Sequence, residues 1–134
     1  MEELRLEAKA EKLSEVLAFV DERLEAADCP LKAQMQIDVA VEELFVNVAY
    51  YAYPGGAGDV VIAMEIRDGT AVIRLMDSGL PFNPLDRPDP DVKATADKRK
   101  IGGLGIYMAK KSMDSMDYQH TGGMNVLTMS KRIG

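Results

Sequence analysis

The sequence predicts an α+β protein, a two-layer sandwich in which helices cover one face of a mixed, mostly antiparallel sheet. Three observations carry this reading. Segments with strand-type alternation come in neighbouring pairs joined by tight-turn residues, as hairpins do. Two segments of helical periodicity lie between the first strand and the first hairpin. Strands and helices do not alternate regularly, as doubly wound parallel folds require. A chain of 134 residues with 47% apolar and 28% charged side chains fits one domain over 1–134, long enough to bury a core without cross-links.

The elements follow in order. Leu4 and Leu6 alternate with Glu3, Arg5 and Glu7, which reads as a half-buried strand over Glu3 to Ala8. Leu13, Val16, Leu17, Val20 and Leu24 recur at helical spacing, with acidic residues on the other faces. That helix should stop near Asp28–Pro30, because a proline disfavours a helical residue before it. A longer helix spans about Leu31 to Tyr51, with Ile37, Val41, Leu44 and Val48 as its apolar stripe, and Pro54-Gly55-Gly56 ends it. Val60, Ile62, Met64 and Ile66 alternate, as do Ala71, Ile73 and Leu75, and Asp68-Gly69 between them is a strong hairpin signal. From Leu80 to Lys100 no periodicity survives, and a loop of that length in a small domain is usually functional or disordered. Gly102-Gly103-Leu104-Gly105 then opens a helix to about Met113, and strands over Ser115–Thr121 and Met124–Arg132 turn at Gly122-Gly123.

The formal net charge of −6 argues against non-specific nucleic-acid binding, which needs a basic footprint. The single cysteine, Cys29, forms no internal disulfide, and its acidic neighbour Asp28 argues against an activated thiolate. No signal-peptide pattern opens the chain and no apolar run is long enough to span a bilayer, so the cytoplasm is the expected location, without membrane contact.

Three motifs carry chemistry. Glu43 and Asn47 are four apart and share a helix face away from the apolar stripe. A carboxylate can serve as general base, and an amide oxygen suits Mg²⁺. Asp77-Ser78-Gly79 stands at a strand end, where an aspartate can accept a hydrogen bond from an exocyclic amine and a glycine lets a flat ligand approach. Gly102-Gly103-Leu104-Gly105 at a helix start suits phosphate, because backbone N–H groups converge there and the helix dipole favours negative charge. It lacks the Lys-Ser/Thr ending of a P-loop and does not follow a strand, which excludes that loop and a dinucleotide fingerprint. Taken singly, each motif also reads as ordinary structure: a solvated face, a turn, and glycines leaving a loop.

Their order along the chain resembles the ATP-binding (Bergerat) fold of the GHKL superfamily, which includes gyrase, heat-shock chaperones and histidine kinases. Within it, the chain is similar to the stand-alone anti-sigma factor serine/threonine kinases of bacteria. Val41-Glu42-Glu43-Leu44-Phe45-Val46-Asn47 with Ala52-Tyr53 looks like that family's first box, Asp77-Ser78-Gly79-Leu80-Pro81-Phe82-Asn83-Pro84 like its second and Gly103-Leu104-Gly105-Ile106 like its third. The closing strand, Asn125 to Met129, is similar as well.

The resemblance implies roles. Glu43 would be the general base and Asn47 the ligand of a Mg²⁺ ion on the triphosphate. Asp77 would bind the adenine amine, Gly79 would leave room for the base, and Thr128 would support Asp77 and an adenine-bound water. Gly102, Gly103, Leu104 and Gly105 would form the phosphate-binding turn. Residues 80–100 would be the ATP lid, with Lys93, Lys98, Arg99 or Lys100 offering a cation to the γ-phosphate. Tyr53 would pack near the nucleotide. The implied activity is transfer from ATP to a serine on a STAS-class anti-sigma factor antagonist, with a sigma factor as a possible second partner and a homodimer as the implied assembly. The alternative is a non-catalytic ATP-binding module that sequesters its partner. Retention of Glu43 favours the kinase. An ATP-hydrolysing module of a larger machine fits less well, for want of a transducer domain.

Overall fold

The computed structural model describes residues 1–86 and 103–134. Five strands, β1 (Glu2–Glu7), β2 (Asp59–Arg67), β3 (Thr70–Asp77), β4 (Ser115–Thr121) and β5 (Met124–Arg132), form one sheet in the order β1-β2-β3-β5-β4. Among the described residues three α-helices pack with it, α1 (Leu13–Ala26), α2 (Leu31–Tyr51) and α3 (Gly103–Ser112). All four strand pairings are antiparallel, so the mixed sheet that the sequence allowed resolves into a purely antiparallel one. The hairpins form where expected. Asp68 and Gly69 have φ of 52° and 76°, and Gly122 and Gly123 have φ of 61° and 77°, the left-handed pair that a two-residue hairpin turn demands.

Period two decides what each strand buries. On β3, Ala71, Ile73, Leu75 and Asp77 are buried, while Val72, Arg74 and Met76 are half-buried on the other face. Val60, Ile62 and Met64 of β2 and Leu127 and Met129 of β5 join the same inner layer through the register. The helices close it with Val16, Val20 and Leu24 of α1, Ile37, Val41, Leu44 and Phe45 of α2, and Ala109 of α3. Burying side chains of this size contributes about 1.5–3 kcal/mol each, which holds α2 flat on the sheet. Its functional residues then sit at fixed heights above β3.

Helix α1 ends as the proline predicted, by a mechanism of its own. Asp28 takes a left-handed φ of 54°, the Cys29 N–H donates to the Leu24 carbonyl at 3.0 Å, and the Asp28 N–H donates to the Glu25 carbonyl at 3.0 Å. This is a Schellman closure with aspartate in the usual glycine position. The Cys29 thiol is pushed up by burial and by Asp38, the opposite of activation.

Two carboxyl groups meet between α1 and α2. The Asp38 carboxyl is pushed up to about 8, first by burial, then by the neighbouring carboxyl of Asp21 and by Glu25. A carboxyl raised in the folded state binds a proton that the unfolded chain has released. Its contribution to stability is therefore complete below the ordinary value of 3.8 and is lost as pH rises through about 8. Asp38→Asn should flatten the fall in chemical-denaturation midpoint between about pH 4 and pH 8 and raise the midpoint at the alkaline end. An unchanged slope would show that Asp38 holds no extra proton.

Candidate active site

The site lies where β3 ends beneath the last turns of α2. Asp77 closes β3 opposite Val60 on one side and Asn125 on the other. Asp77 is 4% exposed and Asn125 is 6% exposed, the two buried polar residues of the described chain. Burial obliges both to find partners. The Gly79 N–H and the Asn125 Nδ2 both donate to Asp77 Oδ1, each at 2.9 Å. Asn125 Nδ2 also donates to the Leu80 carbonyl at 2.9 Å, while its Oδ1 accepts from the Phe82 N–H at 3.2 Å and from the Tyr118 hydroxyl. Asp77 Oδ2 accepts nothing among the described residues. Asp77 lines a cleft whose walls include Leu44, Val48, Leu75 and Leu127. An apolar slot with one oriented acceptor at its floor suits a flat heterocycle carrying an amine.

Asn47 lines the same cleft. Glu43, four residues before it, sits one helical turn away, about 6 Å along the axis. Its carboxylate packs directly on the Cα of Gly105, in the third residue of α3, where any Cβ would fall on it. The α2 pair and the α3 start, separated by nearly 60 residues, are thereby brought together. Asp77 and Asn47 line one cleft, and Glu43, one turn back along α2, meets Gly105. Burial, then Glu42, pushes the Glu43 carboxyl up from its ordinary value, because a carboxylate held partly out of water is disfavoured.

Gly105→Ala separates position from stability. The clashing atom is the tip of a flexible side chain, so Glu43 swings away at little cost to the fold. If Glu43 serves as a catalytic base, its displacement by an ångström or more should lower the turnover rate by about 10²-fold, read as kcat at unchanged melting temperature.

One reading from sequence is corrected. Thr128 does not reach Asp77. In β5, Asn125, Leu127 and Met129 face the core, so Thr128 lies on the opposite face, where Arg74 Nε donates to its hydroxyl at 3.2 Å. Asn125 takes the supporting place, and the alternation of β5 was the signal that could have found it. Gly79 also has a structural reason to be glycine. A Cβ there would strike the Ala52 carbonyl, which accepts from the Leu80 N–H at 2.8 Å. Tyr53, expected to pack near the nucleotide, is held between two strands. Its ring lies on Gly58, and its hydroxyl donates to the Asp59 carbonyl at 2.7 Å and accepts from the Ser78 N–H at 2.9 Å. It thus ties the end of α2 to both strands beside Asp77. Gly103 begins α3. Gly102, the side chain of Leu104 and the lysines and arginine at 93 and 98–100 lie outside what the structure describes, as does most of the 80–100 lid. Its first residues, to Asp86, are held by Ala52, Asn125 and a short 3₁₀ turn, Pro84–Asp86.

Among the described residues no helix is long and apolar enough to cross a membrane. Comparison with known proteins agrees with the geometry. The chain is 28% identical to the serine-protein kinase RsbW of Bacillus thuringiensis (strain Al Hakam), over 98% of its own length and 84% of that protein's. It is 27% identical, with the same coverage, to the serine-protein kinase RsbW of Bacillus cereus (strain AH820). Among solved structures, one containing RsbU and RsbW domains from Mycobacterium tuberculosis superposes on 99% of the chain with a TM-score of 0.64 at 18% identity, the chain spanning 33% of that longer polypeptide. The Acinetobacter baumannii histidine kinase AdeS matches with a TM-score of 0.51 at 14% identity, covering all of this chain and 70% of that one. These two likenesses concern the fold. The profile of the histidine kinase-like ATPase domain matches residues 6–131, and the chain belongs to that family.

Proposed function

We propose that the chain is an ATP-dependent protein serine kinase of the anti-sigma factor type, which phosphorylates a STAS-class antagonist and in its absence holds a sigma factor. One observation carries this reading: Glu43 packs on the Cα of Gly105, one helical turn from Asn47, which shares a cleft with Asp77. A base at the phosphate end of a nucleotide cleft has a purpose in transfer and none in mere binding. The relatives named serine-protein kinase, aligned along 98% of the chain, support it.

Asp77 holds the adenine amine through Oδ2. The N-terminus of α3 faces the phosphates with its free N–H groups. Glu43 takes the proton of the incoming serine hydroxyl as that oxygen attacks the γ-phosphorus and the β–γ bond breaks, releasing ADP. The residues present fit Mg²⁺: Asn47 offers one neutral oxygen, and Mg²⁺ held mainly by phosphates and water needs few protein ligands. When bound, that ion neutralises charge on the phosphates.

Incubation of the protein with Mg-ATP and the STAS protein encoded nearest to it, followed by intact mass, tests the proposal. One added phosphate on the STAS protein supports it. Nucleotide binding without transfer would instead make the chain a sequestering module.

A further inference from the structure

We infer that the outer ridge of α2, formed by Leu31, Met35 and Val39, is the surface on which the protein substrate docks, through an apolar face beside its acceptor serine. The inference deepens the proposed function and rests on the reading of Glu43 as the base.

Helix α2 buries Ile37, Val41, Leu44 and Phe45. A helix that had only to cover a sheet would turn polar residues to water on its far side. Instead α2 leaves Leu31, Met35 and Val39 exposed at 71%, 59% and 47%. Residues four apart form a ridge on a helix surface. The ridge of Leu31, Met35 and Val39 continues in the same steps to Glu43 and Asn47, so the apolar row ends at the base. Each step rises about 6 Å, which puts Val39 about 6 Å and Met35 about 12 Å from Glu43 along the axis. Across the seam, the Glu43 carboxylate packs on Gly105 of α3, and Met108, one turn further along α3, is 48% exposed.

This placement selects the occupant. A folded protein whose serine hydroxyl reaches Glu43 must cover what surrounds that point. A standard interface takes about 800 Å² from each partner, a patch roughly 30 Å across. Centred on Glu43, such a patch takes in Val39 and Met35 and reaches toward Leu31. A substrate also leaves after each transfer, so its docking surface is solvated in the free enzyme, as this ridge is. Three side chains on one ridge are too few for the larger, more apolar interface of an obligate dimer. None of the three is charged, so the face that complements them is apolar.

The test measures transfer from Mg-ATP to the STAS protein encoded nearest to the chain, as kcat and as KM for each substrate. Wild type is compared with Met35→Asp, Leu31→Asp and, as a control, Ile66→Asp, a change at an exposed apolar residue near the end of β2. A carboxylate set into an apolar contact should raise the KM for the protein about tenfold in Met35→Asp. That KM follows affinity where the protein dissociates faster than it reacts. The KM for ATP should move by less than about twofold. Leu31→Asp, nearer the rim, should show a smaller rise, and it serves if Met35→Asp does not fold. An unchanged KM for the protein in the ridge variants, or an equal rise in Ile66→Asp, would overturn the inference. Sedimentation of the same variants reads the other occupant: loss of a wild-type oligomer in Met35→Asp at unchanged KM would give the ridge to a second copy and overturn it too. A wild-type chain that binds ATP but transfers nothing would overturn the kinase reading and this inference with it.

Discussion

Asp77→Asn should abolish recognition of adenine while leaving the fold intact. Oδ1 is held as an acceptor by two N–H donors, from Gly79 and Asn125. The amide oxygen of the variant must occupy that place, which turns its NH₂ toward the cleft. A donor then meets the donor of the 6-amine, and the ligand's polar group is buried unpaired. Sites that lose a required polar match in this way discriminate by about 10²-fold or more. The same inversion suits a 6-oxopurine, so the ratio of GTP to ATP affinity should rise. Calorimetry with both nucleotides reads both effects. Unchanged ATP affinity would remove Asp77 from the purine site.

The second large effect is at the contact between α2 and α3. Glu43→Gln keeps the shape and packing of the side chain on Gly105 and removes its basicity. Transfer to the partner should fall by about 10²–10⁴-fold, the usual contribution of a general base, with nucleotide affinity nearly unchanged. The pH profile carries an independent sign. Glu43 works only when deprotonated, and its carboxyl is raised above the ordinary value of 4.5 by burial and Glu42. Transfer should therefore be full above that raised value and lost as pH falls through it, and the acid limb should lie above pH 4.5. In Glu43→Gln the limb should vanish with the activity. A variant that retains full transfer would assign the base to another group.

Much of this was legible in the sequence because it depends on local chemistry. The helices of Leu13–Ala26 and Leu31–Tyr51 follow from apolar spacing, and the hairpins follow from Asp68-Gly69 and Gly122-Gly123, whose left-handed φ values suit those residues. The pairing of β3 with β5 was not legible, since it places a late strand inside the sheet rather than beside its hairpin partner alone. The error over Thr128 has a simpler origin. A shift of three along a strand reverses the face, and only the register of β5 on β3 shows that Asn125 meets Asp77. Gly79 was found as a glycine of consequence, but the backbone it accommodates is that of Ala52, which no local pattern announces. The carboxyl pair of Asp21 and Asp38 belongs to helix packing, and neither residue is unusual on its own helix.

Everything in the proposed function requires a single nucleotide to span from Asp77 to the start of α3. Amide proton–nitrogen shifts, followed while wild-type protein is titrated with Mg²⁺ and a non-hydrolysable ATP analogue, test this most directly. Ser78, Gly79, Leu80 and the amides from Gly103 to Ile106 should move together along one binding curve, while Arg74 and Thr128 on the far face of the sheet stay still. Movement at the far face, or at the β3 end with none in α3, would contradict a shared site.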